Sequence, residues 1–105
     1  MPRNYYRSDS NQKEIVEALR KVGAVVRIIE AANGQAGIPD LLVGYRGTTY
    51  LMEVKLPVGP RGGGARSKLR PEQEEFIAGW RGGPIAVVRS VTEALTAVGV
   101  MITDT

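Results

Sequence analysis

The chain has 105 residues, enough for one hydrophobic core and too few for two, so a multidomain reading is excluded. Hydrophobic residues make up 43% of it and charged residues 24%, which argues against a disordered, collagenous or coiled-coil chain. With no cysteine and no histidine, disulfides, thiol and histidine-assisted nucleophiles, and the usual zinc and haem ligands are excluded; chemistry falls to carboxylates, lysine, hydroxyls or an oxygen-ligated cation. No apolar run approaches the roughly 18 residues of a membrane span, and MPRNYYRSDSNQ lacks a signal peptide's apolar core, so a soluble, unsecreted protein without a membrane partner is expected.

The elements follow in chain order. NYYRSDSN has no periodicity and reads as a flexible arm over 1–8, with Tyr5 and Tyr6 unassigned. Asp9 or Ser10 then offers an N-cap, with Gln12 three residues after Asp9 as in a capping box. Ile15, Ala18, Leu19 and Val22 repeat at helical spacing, and Gly23 ends the helix. AVVRIIEA (24–31) is β-branched and reads as a strand, and NGQAGIP as a loop. DLLVGY (40–45) and TTYLMEVK (48–55) form a hairpin about Arg46-Gly47. LPVGPRGGGARSKLR (56–70), with three consecutive glycines and two prolines, reads as a mobile basic loop. Pro71 suits a first helical turn, and Phe76, Ile77 and Trp80 give that helix an apolar stripe, taken as core. PIAVVRS (84–90) is a short strand, VTEALTAVG (91–99) a last helix, and 100–105 a tail. The order describes an α/β sheet flanked by helices, a single domain over 1–105.

Within the hairpin, Glu53 and Lys55 share one face of their strand. A two-residue turn at Arg46-Gly47 sets Asp40 directly opposite Glu53, on the same face, where like charges destabilise unless something positive lies between them. A hard divalent cation held by two carboxylate oxygens, a backbone carbonyl and waters meets that need, with Lys55 as a neighbouring cation. An ion pair on a wet strand face is the plainer alternative, but YLMEV and DLLVG are apolar around the charges. On the first helix Glu14 falls about 90° from the centre of the stripe, at its edge, and Glu17 about 150° away, toward solvent. Gln73 lies three, four and seven residues before Phe76, Ile77 and Trp80 and so faces inward; a capping role at the helix start is its alternative.

These residues resemble the PD-(D/E)XK nucleases, and among them the short phage and bacterial VRR-NUC type: Ile38-Pro39-Asp40, then Glu53-Val54-Lys55, with Glu14 in NQKEIVEALRKVG before them and Gln73 in LRPEQEEF after. The resemblance spans almost all of 8–99. It implies a restriction-endonuclease-like α-β-β-β-α-β core with a mixed sheet, and hydrolysis of DNA phosphodiesters with Mg²⁺ or Mn²⁺ in a cytoplasmic setting. Asp40 and Glu53 then match metal ligands, Val54 a main-chain carbonyl ligand, and Lys55 the lysine that positions or activates the attacking water. Glu14 matches a helix glutamate near the metal, and Gln73 a supporting glutamine. The Gly/Arg-rich segment before Gln73 is longer than in the shortest forms of the family.

Five basic residues (Lys55, Arg61, Arg66, Lys68, Arg70) and no acidic one fall between Lys55 and Pro71, while the whole chain carries only +3. Such a run is a solvated linker in many proteins; next to a phosphate-cutting centre, Arg61, Arg66, Lys68 and Arg70 are expected to clamp a DNA backbone. A structure-selective enzyme resembling Holliday junction resolvases, working on branched or duplex DNA as a homodimer, is the expectation. The alternative is a non-catalytic DNA-binding or interaction module on the same fold, against which an intact Asp40, Glu53 and Lys55 argue.

Overall fold

The computed structural model describes residues 11–30, 35–58, 64 and 67–101. Its elements are α1 (Gln12–Lys21), β1 (Val25–Ile28), β2 (Leu41–Tyr45), β3 (Thr48–Val54), α2 (Pro71–Gly79), β4 (Ile85–Val88) and α3 (Val91–Ala97). The expected order of elements is therefore present. The strands form one mixed sheet in the order β1-β2-β3-β4: β2 is antiparallel to both β1 and β3, and β4 is parallel to β3. The parallel pair requires a crossover, and the chain between β3 and β4 that contains α2 supplies it.

The β2–β3 turn is tight. Arg46 and Gly47 take φ of 49° and 84°, the two positive values of a type I′ turn, and Tyr45 pairs with Thr48. This fixes the register down the hairpin, through Leu41 opposite Met52, and carries Asp40 to the end of β2 beside Glu53.

One face of the sheet, with Val26, Leu41, Val43, Met52, Val54 and Val88, packs beneath Ile15, Val16 and Leu19 of α1 and Ala94 of α3. α1 stops at Gly23 (φ 102°), where the Ala24 and Gly23 N–H groups donate to the Leu19 and Arg20 carbonyls in a Schellman arrangement. Three sequence expectations change here. The α1 N-cap is Asn11, whose side chain makes no capping bond because it is engaged elsewhere, while Asp9 and Ser10 lie outside the described residues. The buried face of α1 is Gln12, Ile15, Val16 and Leu19, and Val22 is 36% exposed. Finally, Trp80 is not core: it is 39% exposed, stacked on Phe76 with its indole N–H donating to the Gly83 carbonyl. The apolar stripe of α2 is thus only half covered, its Phe76 and Ile77 being partly buried.

Candidate active site

The charged cluster sits where β3 ends, on the sheet face away from α1 and α3. Side chains alternate along β3, so Met52 and Val54 enter the core while Glu53 and Lys55 point the other way. Both are nevertheless buried, Glu53 at 3% exposure and Lys55 at 6%. The wet-face alternative is thereby removed for these two residues.

Asp40 is fixed at three points. Its N–H donates to the Met52 carbonyl, its carbonyl accepts from the Ile29 N–H, and its Oδ2 accepts from the Val54 N–H at 2.8 Å. In an antiparallel pair a residue's N–H and C=O point to the same side, so the Val54 carbonyl opens toward the Asp40 side of β3. Glu53 Oε2 accepts a 2.8 Å hydrogen bond from Gln73 Nε2 and lies 3.7 Å from Lys55 Nζ. Gln73 is itself buried and uses its other end, Oε1, to accept the Arg70 N–H. The two roles considered for Gln73 are therefore one: the same amide caps α2 and holds Glu53.

Glu53 Oε1 is buried and has no hydrogen-bond partner among the described residues. Burial pushes the Glu53 carboxyl up to about 8 from its ordinary 4.5, and the adjacent Asp40 carboxylate adds to the rise through its charge and by accepting a hydrogen bond from Glu53 once it is protonated; Lys55 and Arg70 oppose it. A buried carboxyl beside a second one, with one oxygen unpaired, demands either a proton or a cation. The donor set fits a hard, oxygen-ligated divalent ion.

The loop before Asp40 is seated on α2. Gly37 has φ 91°, and a Cβ there would collide with the Glu72 carbonyl, in the helical turn that carries Gln73. Gly37→Ala is accordingly expected to lower unfolding stability by at least about 1–3 kcal/mol, read by urea denaturation; an unchanged midpoint would mean that loop and helix are not packed as described.

The remaining sequence-predicted residues are placed as follows. Lys68 and Arg70 are exposed beyond Ser67, with Arg70 near enough to Glu53 to lower its pKa. Arg61 and Arg66 lie outside the described residues. Glu14 is exposed on α1, and among the described residues no group of three or more acidic side chains comes together as a metal set. Counting Gln12 and Val16 in the buried face turns its centre by about 60°, which leaves Glu14 about 150° from it, as far as Glu17.

Two residues at the site were not singled out by the sequence. Asn11, buried at the start of α1, donates from Nδ2 to the carbonyls of Lys55 (3.1 Å) and Arg89 (3.0 Å). Arg89, at the end of β4, donates from Nη2 to the Ser67 carbonyl at 2.6 Å. The only signal was a polar residue before an apolar helix, which reads as a cap, and an arginine after an apolar strand, which reads as a surface residue.

No family model matches the sequence, and no curated protein matches it. Among solved structures, a VRR-NUC domain is similar to it, with a TM-score of 0.58 and 30% identity over 83% of this chain and 88% of that one. The four-stranded mixed sheet flanked by helices is consistent with the restriction-endonuclease-like fold of that domain. By this likeness in both fold and sequence, the chain belongs to the VRR-NUC family of nuclease-type domains.

Proposed function

We propose that the protein is a metal-dependent endonuclease that hydrolyses DNA phosphodiester bonds at the Asp40–Glu53 pair. The observation that carries this reading is the buried Glu53 carboxyl, set beside Asp40 with one oxygen unpaired among the described residues and flanked by Lys55 and Gln73. Asp40, Glu53 and the Val54 carbonyl would hold Mg²⁺ or Mn²⁺. When bound, such a cation supplies acidification of water near neutral pH and neutralises charge on the phosphoryl group. Lys55 places an ammonium at the same cluster, where it orients the attacking water and meets the phosphate's negative charge. Gln73 keeps the Glu53 carboxylate in one orientation, so no reorganisation is needed as charge develops. Lys68 and Arg70, with Arg61 and Arg66, contact the DNA backbone rather than bases.

Selectivity for branched, Holliday-junction-like DNA is part of the proposal, because among the described residues nothing beyond the sheet and its three helices is present to read sequence. Cutting two strands calls for two such centres, hence a homodimer. The test uses junction, flap, duplex and single-stranded DNA of one sequence, incubated with the full chain in Mg²⁺, Mn²⁺ or EDTA. Cleavage in both metals, none in EDTA, and preference for the junction are expected. Equal cutting of all four forms overturns the structure selectivity, and no cutting of any overturns the activity.

Glu14 enters the proposal only as the position that matches the family's helix glutamate near the metal, since its exposed side chain stands as far from the buried face of α1 as Glu17 does. Glu14→Gln is expected to lower cleavage less than tenfold and Glu17→Gln to leave it unchanged. A loss from Glu14→Gln as large as that from Asp40→Asn would put Glu14 among the metal ligands themselves.

A further inference from the structure

Four stretches of chain converge behind Lys55: the end of β3, the start of α1, the end of β4 and the tail of the basic segment. Asn11 Nδ2 ties the first three by donating to the Lys55 and Arg89 carbonyls. The Arg89 side chain reaches the fourth, with Nη2 2.6 Å from the Ser67 carbonyl. Ser67 is 3% exposed, and its N–H and Oγ both donate to the Gly64 carbonyl. The end of the basic segment is therefore built into the fold rather than free, and Lys68 and Arg70 start from a fixed point.

The arginine is a poor device for stability alone. Its Nε is buried without a partner among the described residues, which costs free energy that an apolar side chain would not incur. Its backbone is also occupied, the N–H donating to Glu93 Oε1 and the carbonyl accepting from Asn11. What distinguishes the side chain is the hold on Ser67, three residues before Arg70, whose charge is felt at Glu53.

We propose that Arg89 is a positioning residue for nucleic-acid binding: through the Ser67 carbonyl it fixes the segment 67–70 so that Lys68 and Arg70 meet a DNA phosphate beside the Asp40–Glu53 cluster. The proposal rests on the nuclease reading above. It concerns the planar guanidinium, not its charge, since a lysine ammonium cannot reproduce the same directed donor at that reach.

The experiment compares the full chain with Arg89→Lys, which keeps the charge, and with Arg89→Gln, which gives a second variant should the first fail to fold. Amide hydrogen exchange without DNA reads the anchor, and exchange in residues 67–70 is expected to rise tenfold or more in either variant. Binding of a short duplex in Ca²⁺, followed by anisotropy across a salt series, reads its use. Arg89→Lys should weaken binding tenfold or more and flatten the log–log salt slope by up to about two, as Lys68 and Arg70 disengage without a change in net charge. In a double-mutant cycle with Lys68→Ser the losses should be non-additive. Unchanged exchange overturns the proposal. Raised exchange with parental affinity and salt slope, or strictly additive losses, overturns it too, because Arg89 then acts apart from the segment. Cleavage in Mg²⁺ is scored separately: a parent that binds but does not cut refutes the nuclease reading while the exchange and binding arms still decide Arg89.

Discussion

Asp40→Asn is expected to weaken Mn²⁺ and Mg²⁺ binding by at least about a hundredfold and to remove DNA cleavage, with the fold intact. The fold survives because an asparagine carbonyl oxygen accepts the Val54 N–H as Asp40 Oδ2 does, so β3 keeps its partner at the end of the hairpin. What is lost is charge. With one carboxylate gone, the site offers a divalent ion a single anionic ligand, and the Glu53 carboxyl no longer has a negative neighbour raising its pKa; burial, the larger cause, still acts. Calorimetric titration of metal into the folded variant reads this directly, and parental affinity would show that Asp40 is no ligand.

The second large effect is on metal-free stability. Glu53 has a folded pKa of about 8 against 4.5 for the ordinary group, so between these values the folded state holds a proton that the unfolded chain has released. Stability from this group is fully present below about pH 4.5 and is lost as pH rises through about 8, at a slope of up to about 1.4 kcal/mol per pH unit. In EDTA the parent should therefore be a few kcal/mol less stable at pH 8.5 than at pH 5 on this account. Glu53→Gln carries no such proton: its amide still accepts from Gln73 and presents a donor where Oε1 stood unpaired. Its urea midpoint should lack this pH-dependent fall and exceed the parent's at pH 8.5. Identical pH profiles for the two proteins would mean that Glu53 is ionised in the folded state. Added metal should reverse the parent's trend, since binding needs the carboxylate and displaces its proton.

Much of this site was legible before the fold was known, and for one reason. The Arg46-Gly47 turn fixes the hairpin register, the register places Asp40 by Glu53, and strand alternation adds Lys55. All of that is short-range geometry within sixteen residues. Gln73 was legible too, by its helical spacing to Phe76 and Ile77. The buried face of α1 departs from the stripe Ile15, Ala18, Leu19 and Val22 because the polar Gln12 is buried at the helix start, Val16 beside the stripe is core, and Val22 is largely out of it, so the face is turned and Glu14 lies off its edge. Trp80 was misplaced because a stripe shows which face is apolar, not whether anything covers it. Asn11 and Arg89 were beyond reach, as their partners lie 44, 78 and 22 residues away and only the assembled sheet brings them together.

The most direct test of the Asp40–Glu53 centre is single-turnover cleavage of junction DNA by the full chain and by Glu53→Gln, each with Mg²⁺ and with EDTA. The account predicts product from the parent with Mg²⁺ and from no other combination. Product from Glu53→Gln at the parental rate, or from the parent in EDTA, would contradict it.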